Sequence, residues 1–194
     1  MQHYEEKIDL ALDYLLSPGI LNVTGDHPVC YVTYDVSDAF KIQKMIDSDI
    51  KAKAAHAGFD VHVISIKEIV IDFIKNHDYY DLAWTLDDGI SEEDIFQSIS
   101  DEFQNNECRP NNLDPISEAI LAKQDEVRDN GRPLLLITDL EWLHPFDRIG
   151  RIEALIYKQI DVPMLILYPG QSQGTARTFL NIYPMDGNYR SKNF

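Results

Sequence analysis

Residues 133–141 read Pro-Leu-Leu-Leu-Ile-Thr-Asp-Leu-Glu, and this stretch decides the fold. Pro133 to Ile137 is near-continuously apolar, the pattern of a strand covered on both faces, and such strands belong to parallel sheets flanked by helices. Val162 to Tyr168 repeats the pattern after a helical stretch from about Asp147 to Ile160. Working outward, Val29 to Val36 is β-branched and aromatic, with CYVTY at its centre, and leads into a long helical stretch from Ala39 to Ala57. Gly58 stops that helix, Asp60 to Ile66 alternates apolar and polar residues, and Lys67 to Lys75 resumes a helical period. This βαβα opening implies parallel pairing and a right-handed crossover.

The remaining chain fits the same architecture. Glu5 to Leu16 carries apolar residues at helical spacing and ends at Ser17-Pro18-Gly19, so residues 1–19 form an N-terminal helix. Residues 76–108 read as an acidic helical insertion, with ten acids and no Lys or Arg between Lys75 and Arg109. Within it, Ser91-Glu92-Glu93-Asp94 supplies a cap and first-turn acids, which the helix dipole favours. Leu113 to Asp129 is a further helix, with Asp114-Pro115 as cap and first residue and Asn130-Gly131 as its stop. Tyr168-Pro169-Gly170 reads as a turn, Arg177 to Tyr183 as an edge strand and 187–194 as a polar tail. The expected fold is a single α/β domain over residues 1–194. It has three layers, with a mostly parallel sheet of about five strands and helices on both faces, and is Rossmann-like or degenerate P-loop-like.

Composition narrows the function. The 194 residues include 17 Lys+Arg against 33 Asp+Glu, a net charge of −16. Nonspecific nucleic-acid binding depends on cations neutralising phosphates, so this balance disfavours direct nucleic-acid binding by the chain alone. With 44% hydrophobic residues, a chain of this length buries roughly 70% of its unfolded surface. Cys30 and Cys108 have no metal or disulfide spacing. The acidic start lacks a signal peptide's basic and apolar regions, and no apolar run approaches the roughly 18 residues that cross a bilayer. A cytoplasmic protein without membrane contact is the expectation.

Ligands of such sheets sit beyond the carboxyl ends of the strands. After the first strand, Asp35, Ser37 and Asp38 lie in a segment without glycine, so neither a P-loop nor a dinucleotide fingerprint is present. After the third, Asp139 and Glu141 resemble the acids that hold magnesium in P-loop ATPases, but no Walker Lys accompanies them. After the fourth, Gly170 and Gly174 fit turn chemistry best. No GxSxG elbow supports a serine nucleophile drawn from Ser37 with His62 or His144. The acids of 76–108 do not follow calcium-loop spacing and read as a solvated or docking face. No catalytic residue, cofactor or metal site is assigned. The competing reading is a nucleotide- or phosphate-binding enzyme using Asp139, Glu141 and the Gly170 loop.

Charge is divided unevenly: residues 148–194 hold six basic and three acidic residues, while residues 1–147 carry the entire acidic excess. In the helix from 147 to 160, Ile149, Ile152, Leu155, Ile156 and Ile160 share one face, and Arg151 and Lys158 lie opposite. Arg148 sits in the first turn, where a cation opposes the helix dipole by about 0.3–1 kcal/mol, so helix stability does not explain it.

Three segments, LLLITDLEWLHPFDRIGRIEAL from Leu134, VPMLILYPGQSQG from Val162 and GNYR at 187–190, together resemble the BrxB family of BREX phage-resistance systems. The matching positions are Pro145, Phe146, Arg148, Tyr168, Pro169, Gly170, Gly174, Asn188, Tyr189 and Arg190. The resemblance implies a small accessory subunit of an antiviral defence complex, without known enzymatic activity. Its implied partners are other BREX subunits, foremost the phosphatase-like PglZ subunit and then the large ATPase, alongside a DNA methyltransferase. The expected function is a non-enzymatic scaffold acting through protein–protein contacts at Pro145, Phe146, Arg148, Arg151, Asn188, Tyr189 and Arg190.

Overall fold

Apolar strands that must hide both faces pair with one another, and here they do so in a parallel sheet. A computed structural model describes residues 2–17, 20, 28–76, 91–105, 112–173, 176–183, 186–187 and 191–194. Its strands are β1 (Val29–Tyr34), β2 (Asp60–Ser65), β3 (Pro133–Thr138), β4 (Met164–Gln173), β5 (Ala176–Phe179), β6 (Asp186–Gly187) and β7 (Lys192–Asn193). Its helices are α1 (Gln2–Leu15), α2 (Ala39–Met45), α3 (Lys51–His56), α4 (Ile66–Asn76), α5 (Glu92–Gln104), α6 (Pro115–Val127) and α7 (Ile149–Ile156). This is an α/β fold with a mostly parallel sheet and helices around it, the class the sequence anticipates. Contacts resolve two compact units, one of Met1–Ile64, Lys123–Thr138 and Ile160–Phe194, the other of Ser65–Ala122 and Asp139–Gln159.

The first unit holds the sheet, ordered β2-β3-β4-β1-β7. Val29 to Tyr34 runs parallel to Met164 to Pro169, and Leu135 to Ile137 parallel to Met164 to Ile166. Every residue of β1 and β3 is buried. Cys30, Val32, Leu134, Leu136, Leu165 and Leu167 turn to one face and meet Ile8, Leu12 and Leu15 of α1, which repeat at i, i+4 and i+7, together with Ile42 and Met45 of α2. Each such side chain removed from water contributes about 1.5–3 kcal/mol. On the opposite face the fully buried Arg177 lays its guanidinium 3.6 Å from the Tyr31 ring centre and 5.4 Å from that of Tyr168. Its Nη1 donates to Asn193 Oδ1 at 2.7 Å.

Several expectations are corrected. β1 and β2 do not pair: β4 and β3 lie between them. The reason is composition, because the half-polar β2, with the exposed Asp60 and Val63, tolerates an edge, whereas the apolar β4 needs neighbours on both sides. Tyr168-Pro169-Gly170 is not a turn, since β4 continues to Gln173 and pairs antiparallel with β5, Gly170 opposite Phe179. The tail is not merely polar coil, because Lys192 and Asn193 add a parallel strand to the other edge of β1. Phe194 N–H donates to Tyr31 O, and Thr33 N–H to Phe194 O, satisfying backbone groups a buried strand must not leave open. The 39–57 stretch is helical as expected, from Ala39 to His56 with a π-turn at Ile46–Ile50, whereas the 147–160 helix is shorter, Ile149–Ile156.

Other local readings hold. Ser91 and Asp94 form a reciprocal capping box at α5. Asp114 accepts from the N–H groups of Ile116 and Ser117 and from Ser117 Oγ, capping α6 as the Asp-Pro pair predicts. Gly58 takes φ +89 where α3 ends. The rest of the acidic stretch, 77–90 and 106–108, lies outside the described residues, as does Gly174.

Gly170 has φ +149, and a Cβ there would lie 1.9 Å from the Thr178 carbonyl oxygen. Backbone strain and overpacking together make Gly170→Val cost about 2–5 kcal/mol. Denaturant unfolding should show this as a lower midpoint, and an unchanged midpoint would remove the geometric role.

Candidate functional site

The element carrying the candidate partner residues follows β3. Asp139 adopts a left-handed conformation, φ 58, and its Oδ2 accepts from Ser65 Oγ at 2.6 Å. A 3₁₀ turn, Leu140–Leu143, buries Leu140 and Leu143 and leaves Trp142 exposed, with the Lys67 ammonium 5.2 Å from its ring centre. The His144–Pro145 peptide is cis, and Pro145 is exposed. Phe146 is buried, with its ring 6.2 Å from those of both Phe96 and Phe103, and its carbonyl accepts from Ser100 Oγ and Gln104 Nε2 of α5. Phe73 of α4 stands edge-on to Phe103 at 5.0 Å and completes the aromatic cluster. The chain is therefore clamped at Phe146 by both its side chain and its backbone.

Charge is arranged immediately after that clamp. Asp147 is buried, and its Oδ1 accepts from the Arg148 N–H at 2.7 Å and from Arg151 Nε at 3.0 Å. Among the described residues, Asp147 Oδ2 and Arg151 Nη2 are buried without a hydrogen-bond partner. Burial pushes the Asp147 carboxyl above its ordinary value, against the Arg148 N–H and Arg151, which hold it down. Arg148 caps α7 in extended conformation, φ −131 and ψ 138, and its side chain is exposed. No described residue hydrogen-bonds or ion-pairs with its guanidinium. His144 is held below its ordinary value by burial and then by the Arg148 charge.

The structure thus brings Pro145, Phe146, Arg148 and Arg151 into one element and divides their environments. Phe146 faces the aromatic cluster, Arg151 is tied to Asp147, and Pro145 and Arg148 face solvent. Asn188, Tyr189 and Arg190 lie outside the described residues. Sequence reading passed over Trp142 and Phe96, two half-exposed aromatics beside this element. Trp142 directly precedes Leu143-His144-Pro145, and its place beside the Pro145-Phe146 motif is the signal the sequence offers.

The residues of the competing reading divide between the units: Asp139 and Glu141 belong to the second, Gly170 to the first. Among the described residues no group of three His, Cys, Asp or Glu side chains is placed to hold a metal. Asp35 accepts from the Ser37 N–H and hydroxyl, and Tyr4 donates to Asp38, so those acids serve the turn after β1.

Fold and site define an α/β protein with a mostly parallel sheet and no phosphate-cradling glycine loop after its first strand. A family model described as "BREX protein BrxB" matches residues 62–194, and the chain belongs to that family. The family is an accessory component of BREX phage-resistance systems and is not known as catalytic. No curated protein and no solved structure matches the chain. No helix among the described residues is long and apolar enough to cross a membrane.

The buried Asp147 carboxyl gives a signed pH dependence. A carboxyl whose folded-state pKa is raised contributes stability that is fully present below its unfolded value, here 3.8, and is lost as pH rises through the folded value. The stability of wild type relative to Asp147→Asn should therefore fall as pH rises from about 4 towards neutrality. Urea unfolding across that range measures it, and a flat difference would contradict the assignment.

Proposed function

We propose that the protein is a non-enzymatic subunit of a cytoplasmic BREX assembly and works through protein–protein contacts made by the face around Arg148. The observation that carries this reading is the contrast within Pro145-Phe146-Asp147-Arg148. Phe146 and Asp147 are used internally, to fix the turn, and Arg148 has no partner among the described residues. A cation at a helix start, exposed and unpaired, adds nothing to the helix. Arginine is favoured at interface centres for its planar donor fork, as are aromatic residues, and Trp142 on the same element and Phe96 against Phe146 are both half-exposed. Arg151 then acts as a positioning residue through Asp147, and Asn188, Tyr189 and Arg190 are included on their place in the family's motif alone. The partner is another BREX subunit, foremost the phosphatase-like PglZ subunit. A net charge of −16 argues against autonomous DNA contact.

Co-purification of a tagged chain with each co-encoded subunit tests this. Arg148→Ala and Arg190→Ala should each weaken one subunit's binding at least tenfold, about 1.4 kcal/mol, and abolish phage protection in a complete system. For Arg148→Ala the melting temperature should change little, since an exposed arginine without a partner among the described residues holds nothing internally. A large drop in melting temperature would make the arginine an internal brace. Undiminished binding and defence in both single variants and the double variant would refute the proposal.

A further inference from the structure

The first compact unit contains an open cavity of about 290 Å³ at the carboxyl ends of β1 and β4, two neighbours in the middle of the sheet. Open α/β sheets bind ligands at this edge. Its lining includes Lys7, Thr33, Asp35, Gln171 and Ser172. Lys7 projects from α1, and its ammonium donates to Thr33 O and Thr33 Oγ1, both at 2.9 Å. Both acceptors are neutral, and no carboxylate among the described residues pairs with it. By contrast, Lys41, Lys51, Lys53 and Lys123 each have an acidic partner within 4 Å, and Lys53 takes Asp9 from α1 itself. Burial alone pushes Lys7 below its ordinary value.

The other cavity groups complete a donor set. Among the described residues, the Ser172 hydroxyl and the Gln171 amide have no hydrogen-bond partner. Asp35, the one acid in the lining, is held in its charged form by the Ser37 hydroxyl and N–H that donate to it, with Asn181 a further hydrogen-bond partner, and it makes no ion pair with Lys7. A half-buried cation lacking a counter-ion in a protein with 33 acids is an electrostatic vacancy, because removal from water is tolerated best when the charge is paired.

We propose that this cavity binds a small oxyanion, the carboxylate or phosphate group of a ligand, with the Lys7 ammonium as its counter-ion and Ser172 and Gln171 as neutral donors. The cavity is built from residues of the first compact unit alone and does not depend on the partner contact proposed for Arg148 in the second.

The test is an amide NMR titration of the full chain with inorganic phosphate and, separately, acetate, with chloride holding ionic strength constant. Saturable shifts should centre on Tyr34, Asp35, Gln171 and Ser172. A response to phosphate alone assigns a phosphate ligand, and a response to acetate alone assigns a carboxylate one. A response to both assigns a site open to either. Lys7→Met should weaken the response at least tenfold, and Lys7→Arg should restore most of it. Should Lys7→Met fail to fold, Ser172→Ala provides the second arm and should weaken binding severalfold. No saturable shift with either anion would overturn the proposal. So would shifts scattered over exposed lysines, or a response unchanged in both Lys7→Met and Ser172→Ala.

Discussion

Backbone hydrogen bonding across β3, β4 and β1 is the constraint on which the fold depends. Each of these strands buries its peptide groups away from water, and an unpaired buried N–H or C=O costs as much as a lost hydrogen bond. β4 solves this by lying between the other two, in register from Met164 onward with both. β1 then needs a partner on its second edge, which Lys192 to Phe194 supplies. A tail whose composition suggests only solvent contact is recruited because a neighbouring strand has donors and acceptors to fill.

The same demand explains how much could be read from the chain. Strands β1, β3 and β4 were legible because a buried parallel strand leaves a run of apolar residues that no exposed element needs. Caps such as Asp114 and the Ser91–Asp94 pair were legible because they act within four residues. Strand order was not, since pairing β4 with both β1 and β3 depends on competition among strands far apart in sequence. The extension of β4 through Pro169 and Gly170 was hidden for a different reason. Pro-Gly ordinarily reverses a chain, and only the close pass of Thr178 over Gly170 shows that the glycine serves strand pairing instead.

Charged residues were the least legible. Arg177 looks like a surface residue of an edge strand, yet it is fully buried against Tyr31 and Tyr168. Cation–π attraction of about 2 kcal/mol or more in a desolvated setting, with the Asn193 hydrogen bond, offsets part of its desolvation. It connects β5 to the strand β7 that covers β1, so one long side chain links the hairpin to the edge. Arg151 likewise reads as a solvent-facing position on a helical wheel, but the buried Asp147 one turn earlier draws its Nε inward. For the candidate site, the segment was legible from the motif and the division of labour within it was not. Which arginine turns in and which turns out depends on where Phe146 is clamped.

That division also bears on why the arginine at the helix start persists. Arg148 opposes the α7 dipole, but the Asp147 carboxylate beside it accepts the Arg148 N–H and places a negative charge next to the same helix end. The carboxylate in turn tolerates burial because Arg151 approaches it. Each group offsets the cost created by its neighbour, and the sequence Asp147-Arg148 followed by Arg151 is the shortest arrangement that does so on one helical turn. The exposed guanidinium is the one member of the set whose charge does nothing for the group beside it.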